Sequence, residues 1–131
     1  MAKALHTMIR VFDLERSMAF YETAFGLKLA DRFDFDDFTL AYLRNDEADF
    51  ELELTWNHDQ KEPYSHGSGY GHIAVCVDDL EAEHARMSEL GLGPRKLVTM
   101  EHQGEPLARF FFVDDPDGYA IEVIQNGGRY R

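Results

Sequence analysis

A single cysteine, Cys76, stands in 131 residues, so no internal disulfide can staple this chain. That scarcity favours a reducing compartment, and a cytoplasmic location is expected from it. Basic residues are also few: 13 Lys and Arg against 25 Asp and Glu give a net charge of −12 with histidine neutral. A nucleic-acid binder needs a basic face to displace phosphate counterions, so no nucleic-acid partner is expected. No run of roughly 18 apolar residues occurs, and no membrane span is expected. The first residues, MAKALHTMIRVFDLERSMAF, contain acids and lack the continuous apolar stretch of a signal peptide. The acidity lies in short runs such as DFDDF (34–38) and NDEADFELE (45–53), which read as solvated surface.

What is present is enough for an ordered core: 44% of residues are hydrophobic and 13% aromatic. The most informative pattern is an internal duplication. Aligning His6 with His72 brings Val11 onto Val77, Asp13 onto Asp79 and Leu14 onto Leu80. One residue of slippage brings Gly26-Leu27 onto Gly91-Leu92. Each copy later reaches an apolar strand carrying a glutamate, FELELTWN (50–57) and YAIEVIQN (119–126).

Each copy reads as strand, helix, then strands. LHTMIRV and GHIAVCV have the composition of strands. Asp13 and Asp79 are helix N-caps, and Gly26 and Gly91 fall where a left-handed residue ends a helix. Leu14, Met18, Tyr21 and Phe25 make one buried stripe on the first helix. Leu80, Met87 and Leu90 make the second, with His84 at the place of Met18. Further strands are expected near 28–35, 38–44 and 49–56, and near 95–101, 107–113 and 119–125. DPDG (115–118) is a turn, with proline second and glycine fourth. The whole is read as a single domain, 1–131, of two βαβββ modules (about 4–57 and 70–125) joined by the polar linker NHDQKEPYSHGSGY (57–70).

Strand alternation then selects the candidate site. His6 shares a face with Met8 and Arg10, and Glu53 with Glu51, Thr55 and Asn57. In the second copy His72 lies with Ala74 and Cys76, and Glu122 with Ala120 and Ile124. A carboxylate inside an apolar strand is costly unless it is paired or binds a cation. One such histidine is ordinarily structural, but here the same two residue types recur at corresponding places. Two imidazoles and two carboxylates suit a divalent Ni²⁺, Co²⁺, Zn²⁺, Mn²⁺ or Fe²⁺ better than Ca²⁺ or Cu⁺. His58, His66 and His102 are read as surface residues in polar loops, and Cys76 as a small buried residue.

In LHTMIRVFDLERSMAFYETAFGLKL, ELTWN (53–57), YGHIAV (70–75) and DPDGYAIEVI (115–124), the sequence resembles the vicinal oxygen chelate superfamily. It is more closely similar to glyoxalase I (lactoylglutathione lyase) of the short bacterial type, over about residues 4–125. The resemblance implies an α+β fold in which two βαβββ modules form an open eight-stranded barrel-like sheet. It implies a homodimer whose metal sites straddle the interface, with His6 and Glu53 meeting the partner's His72 and the partner's Glu122. The divalent metal would be Ni²⁺ or Co²⁺ by preference, with Zn²⁺ also suitable. The substrate would be the glutathione–methylglyoxal hemithioacetal, isomerised to S-lactoylglutathione. Glu122 is the implied base, with Glu53 open to act on the opposite hand of the substrate. Arg10 and Asn57 match positions that hold the γ-glutamyl carboxylate, and Arg95 or Lys96 falls near one that reaches the glycine carboxylate. Alternative readings are another metalloenzyme of this fold (an epimerase or an extradiol dioxygenase) and a metal-free sequestering protein. An epimerase commonly has an amide ligand, a dioxygenase needs only one carboxylate, and a sequestering protein needs neither His/Glu pair.

Overall fold

Asp13 lies between the first strand, β1 (His6–Arg10), and the first helix, α1 (Leu14–Phe25), which it caps. Its backbone is extended and its carboxylate accepts the Arg16 N–H at 3.1 Å, satisfying one orphan donor of the first turn. Gly26 closes the helix at φ 66°, with its N–H on the Glu22 carbonyl and the Leu27 N–H on that of Tyr21. Leu14, Ser17, Phe20, Tyr21 and Ala24 form the buried stripe. The chain then runs through β2 (Lys28–Asp34), β3 (Phe38–Arg44) and β4 (Glu51–Asn57). These make a four-stranded mixed sheet in the order β1-β4-β3-β2, with β1 parallel to β4. α1 packs on β2 and β4, and the covered core includes Ile9, Val11, Ala41, Leu43, Leu52 and Leu54.

The computed structural model describes all of residues 1–131 and divides into two units, Met1–Ser65 and His66–Arg131. The second repeats the first: β5 (Ile73–Val77), α2 (Leu80–Glu89), β6 (Val98–His102), β7 (Glu105–Asp114) and β8 (Ala120–Gln125). Its sheet order is β5-β8-β7-β6, again with the first and last strands parallel. The fold is thus α+β with two mixed sheets, neither closed, and no helix is long and apolar enough to cross a membrane. Asp79 caps α2 by accepting the Ala82 N–H at 3.0 Å. In the DPDG turn the Gly118 N–H reaches the Asp115 carbonyl at 2.9 Å, and the buried Asp115 carboxylate accepts from Asp117 and Tyr119.

Several expectations are corrected. Leu90 is half exposed, because it is the cap residue itself and Met87 and Leu80 already fill the apolar stripe. His84 stands on α2 as expected, covering Phe111 edge-on and donating from Nε2 to the Arg95 carbonyl at 2.8 Å. Cys76 is exposed, since it lies on the sheet face that α2 does not cover. His66 stacks on Tyr119 at 4.1 Å and 9°, so it is packed and not a free surface residue. His102 lies in β6, which starts at 98 because Gly91 and Gly93 take positive φ and Pro94 lacks a donor.

Candidate metal centre

β1 and β4 run in parallel with Met8 opposite Glu53, which sets His6 and Glu53 on one face. His6 Nε2 lies 3.3 Å from Glu53 Oε2. Glu53 is 8% exposed, so its carboxylate is held away from water and requires polar partners. Its second partner is Tyr42 of β3, which stands directly opposite Glu53 in the antiparallel ladder. The Tyr42 hydroxyl donates to Glu53 Oε1 at 2.6 Å, a short charge-assisted bond. That bond, with burial and the Glu53 charge behind it, pushes the phenol up to about 12, so it stays protonated and remains a donor.

The second unit repeats this placement. Ala74 stands opposite Glu122 in the parallel ladder and Phe112 opposite Glu122 in the antiparallel one. His72 Nε2 lies 2.7 Å from Glu122 Oε2. In both units a ring packs edge-on against the histidine: Tyr42 on His6 at 5.6 Å and 74°, Phe112 on His72 at 5.5 Å and 77°. Each pair therefore places an imidazole nitrogen beside a carboxylate oxygen, where one cation could take both. Both imidazoles remain substantially exposed, which leaves the nitrogen lone pairs approachable.

The four candidate ligands form two pairs, and no group of three or more His, Cys, Asp or Glu in metal-holding geometry arises in this chain. Arg10 and Asn57 end the adjacent parallel strands β1 and β4, at the end of the sheet away from His6. Arg10 lies four steps along the strand from His6, about 13 Å of backbone. The Asn57 amide donates to the Tyr64 hydroxyl at 3.0 Å. Arg95 is committed elsewhere: its guanidinium grips Asp114 at 2.8 and 2.9 Å and lies 5.7 Å over the Phe112 ring. An open cleft of about 320 Å³ adjoins Tyr42, lined by Ala30, Asp31, Phe33, Tyr42, Arg44 and Glu51.

Tyr42 is the functional neighbour that sequence reasoning missed. Its alternation with Phe38 and Leu40 in FTLAYLR was visible, but its register against Glu53 is a long-range property. The signal that could have found it is the duplication, which sets Tyr42 and Phe112 in equivalent strands.

The family model for the Glyoxalase/Bleomycin resistance protein/Dioxygenase superfamily matches residues 3–123. A lactoylglutathione lyase of Neisseria meningitidis serogroup A is 45% identical over 128 residues, covering 94% of this chain and 90% of that protein. One from Haemophilus influenzae is 39% identical over 126 residues, covering 93% of this chain and 91% of its own length. Among solved structures, the trypanothione-dependent glyoxalase I of Leishmania major superposes with a TM-score of 0.76 at 36% identity, over 95% of this chain and 87% of that one.

Proposed function

The chain belongs to the glyoxalase/bleomycin resistance protein/dioxygenase superfamily, and from that membership we propose that it is a lactoylglutathione lyase acting in methylglyoxal detoxification. The observation that carries this reading is the pair of His–Glu contacts, His6–Glu53 and His72–Glu122, with the two glutamates at matching ladder positions and His72 just ahead of β5.

His6, Glu53, His72 and Glu122 would hold a divalent metal, with Ni²⁺ or Co²⁺ preferred and Zn²⁺ also accommodated. Bound there, the ion supplies positive charge beside the two substrate oxygens that become negative during reaction. As the resemblance to the short glyoxalases implies, the full set would come from a homodimer: His6 and Glu53 of one chain with the partner's His72 and the partner's Glu122.

The substrate is the hemithioacetal that forms spontaneously from methylglyoxal and glutathione. Glu122 takes the proton from C1, the C–H electron pair becomes the second C1–C2 bond, and the π pair of the C2 carbonyl moves onto the C2 oxygen. Glu122 then returns the proton to C2. The C1 hydroxyl gives up its proton as C1=O forms and the C2 oxygen gains one, so C1 ends as the thioester carbonyl and C2 as the alcohol carbon, with no outside oxidant needed. Arg10, a fixed cation at the strand end, binds the γ-glutamyl carboxylate, and the Asn57 amide hydrogen-bonds to it. These contacts orient the substrate and leave the bond chemistry to the glutamate.

Metal-quantified protein mixed with methylglyoxal and glutathione should form the thioester, followed by its ultraviolet absorbance. Chelation should silence it, and Ni²⁺ or Co²⁺ should restore more activity than Zn²⁺. Glu122→Gln should lose at least ~100-fold in kcat while remaining folded. A metal-loaded wild type that forms no thioester would reject this function.

A further inference from the structure

The two units place their glutamates alike along both ladders. In both, the glutamate faces a small or flexible residue across the parallel ladder, Met8 or Ala74, and an aromatic one across the antiparallel ladder. In both, that aromatic ring lies edge-on to the histidine at nearly the same distance and tilt. Both rings are buttressed by a further phenylalanine, Phe33 beside Tyr42 and Phe110 beside Phe112. The facing rings differ by one oxygen atom. Tyr42 carries a hydroxyl that grips Glu53 Oε1 at 2.6 Å, whereas Phe112 offers Glu122 nothing polar. Glu122 is left with His72 as its polar partner.

A carboxylate that shuttles a proton between two carbons must change its position and its contacts during the reaction. One that serves as a fixed ligand gains from an outer hydrogen bond that locks its orientation. We propose that Tyr42 is a positioning residue that makes the two glutamates unequal, holding Glu53 as a stationary ligand and leaving proton transfer to Glu122. The inference rests on the lyase reading above and deepens it. Addition of the thiol to the aldehyde carbon gives two hemithioacetal epimers at C1, whose C1 protons face opposite directions. With Glu53 tethered, the epimer whose proton faces Glu122 is consumed faster.

The test uses metal-quantified wild type, Tyr42→Phe and Phe112→Tyr. Each is first loaded with Co²⁺ alone, and its visible absorption spectrum is recorded without substrate. Each is then mixed in excess with the hemithioacetal, so that the two epimers are consumed in separate phases. Wild type should consume one epimer at least ~10-fold faster than the other. Tyr42→Phe should alter the Co²⁺ spectrum and bring the two rates toward equality. Phe112→Tyr, which offers Glu122 the missing hydroxyl, should lower kcat ~10-fold with KM little changed. A Tyr42→Phe protein with the wild-type Co²⁺ spectrum and the wild-type rate ratio overturns the role of Tyr42. So does a Phe112→Tyr protein that folds and turns over at the wild-type rate. If the wild type itself forms no thioester, it is the lyase reading that fails, and the two failures are thereby distinguished.

Discussion

His66 shows how one side chain can serve packing at the expense of its own polarity. Its ring lies flat on Tyr119, yet Nε2 is buried with no hydrogen-bond partner. A buried, unmatched nitrogen destabilises, while the stacked ring contributes apolar contact. His66→Phe keeps the stack and removes the nitrogen, so it should raise stability by ~1 kcal/mol in a denaturant titration. A loss of stability would mean that solvent satisfies the nitrogen. Tyr70 gives a pH signature in the same cluster. It donates to the Ala120 carbonyl at 2.8 Å, and burial, reinforced by the Asp115 charge, pushes its phenol up to about 12 from the ordinary 10.0. The unfolded chain therefore loses this proton first. The stability tied to Tyr70 is complete below the unfolded value and is lost as pH rises from 10.0 to about 12. The urea midpoint should fall across that window, and Tyr70→Phe should make the fall shallower.

At the level of elements, the stretch from 95 to 110 departs most from its expected form. Expected strands at 95–101 and 107–113 are observed at Val98–His102 and Glu105–Asp114. The two are joined by a two-residue hairpin in which Gln103 and Gly104 both take positive φ, 52° and 80°. Paired positive φ angles are those of a type I′ turn, whose twist matches that of the flanking strands. Glutamine is not a usual residue for its first position, so the turn was invisible without the sheet that imposes it. Gly104→Ala meets no steric neighbour, and its effect should come from backbone strain alone. Thermal or chemical unfolding should show a loss of ~1 kcal/mol. The caps were legible by contrast: Asp13, Asp79, Gly26 and Gly91 all sit where local chemistry demands them. Helix ends depend on near neighbours in sequence, whereas strand limits depend on distant partners.

For the whole molecule, the decisive quantity is how many ligands a single chain can assemble. Each unit pairs one imidazole with one carboxylate, and no group of three or more such ligands arises in the chain, short of the four donors proposed for the metal. If the sites lie between chains, then His6→Ala and Glu122→Gln, each inactive alone, should complement one another. In a mixed dimer one site collects both lesions and the other collects neither. Equal mixing after unfolding and refolding should restore about a quarter of wild-type activity, since half the dimers are mixed and each has one intact site. No recovery in a sample shown by mass to contain mixed dimers would place each site within one chain.

The duplication, the helix caps, the DPDG turn and the faces of the strands carrying His6, Glu53 and Glu122 were determined by the sequence alone. They rest on local spacing and alternation, which the chain carries without reference to its fold. Arg10 was likewise legible on the face of His6 and Asn57 on that of Glu53, by alternation alone. Only the tertiary structure decided which strand opposes which glutamate. Ladder register couples residues far apart in sequence, and it alone brought the Tyr42 hydroxyl onto Glu53 while setting an apolar Phe112 against Glu122. Packing against distant residues also placed His66 on Tyr119 and left Cys76 exposed, outcomes that no local pattern encodes.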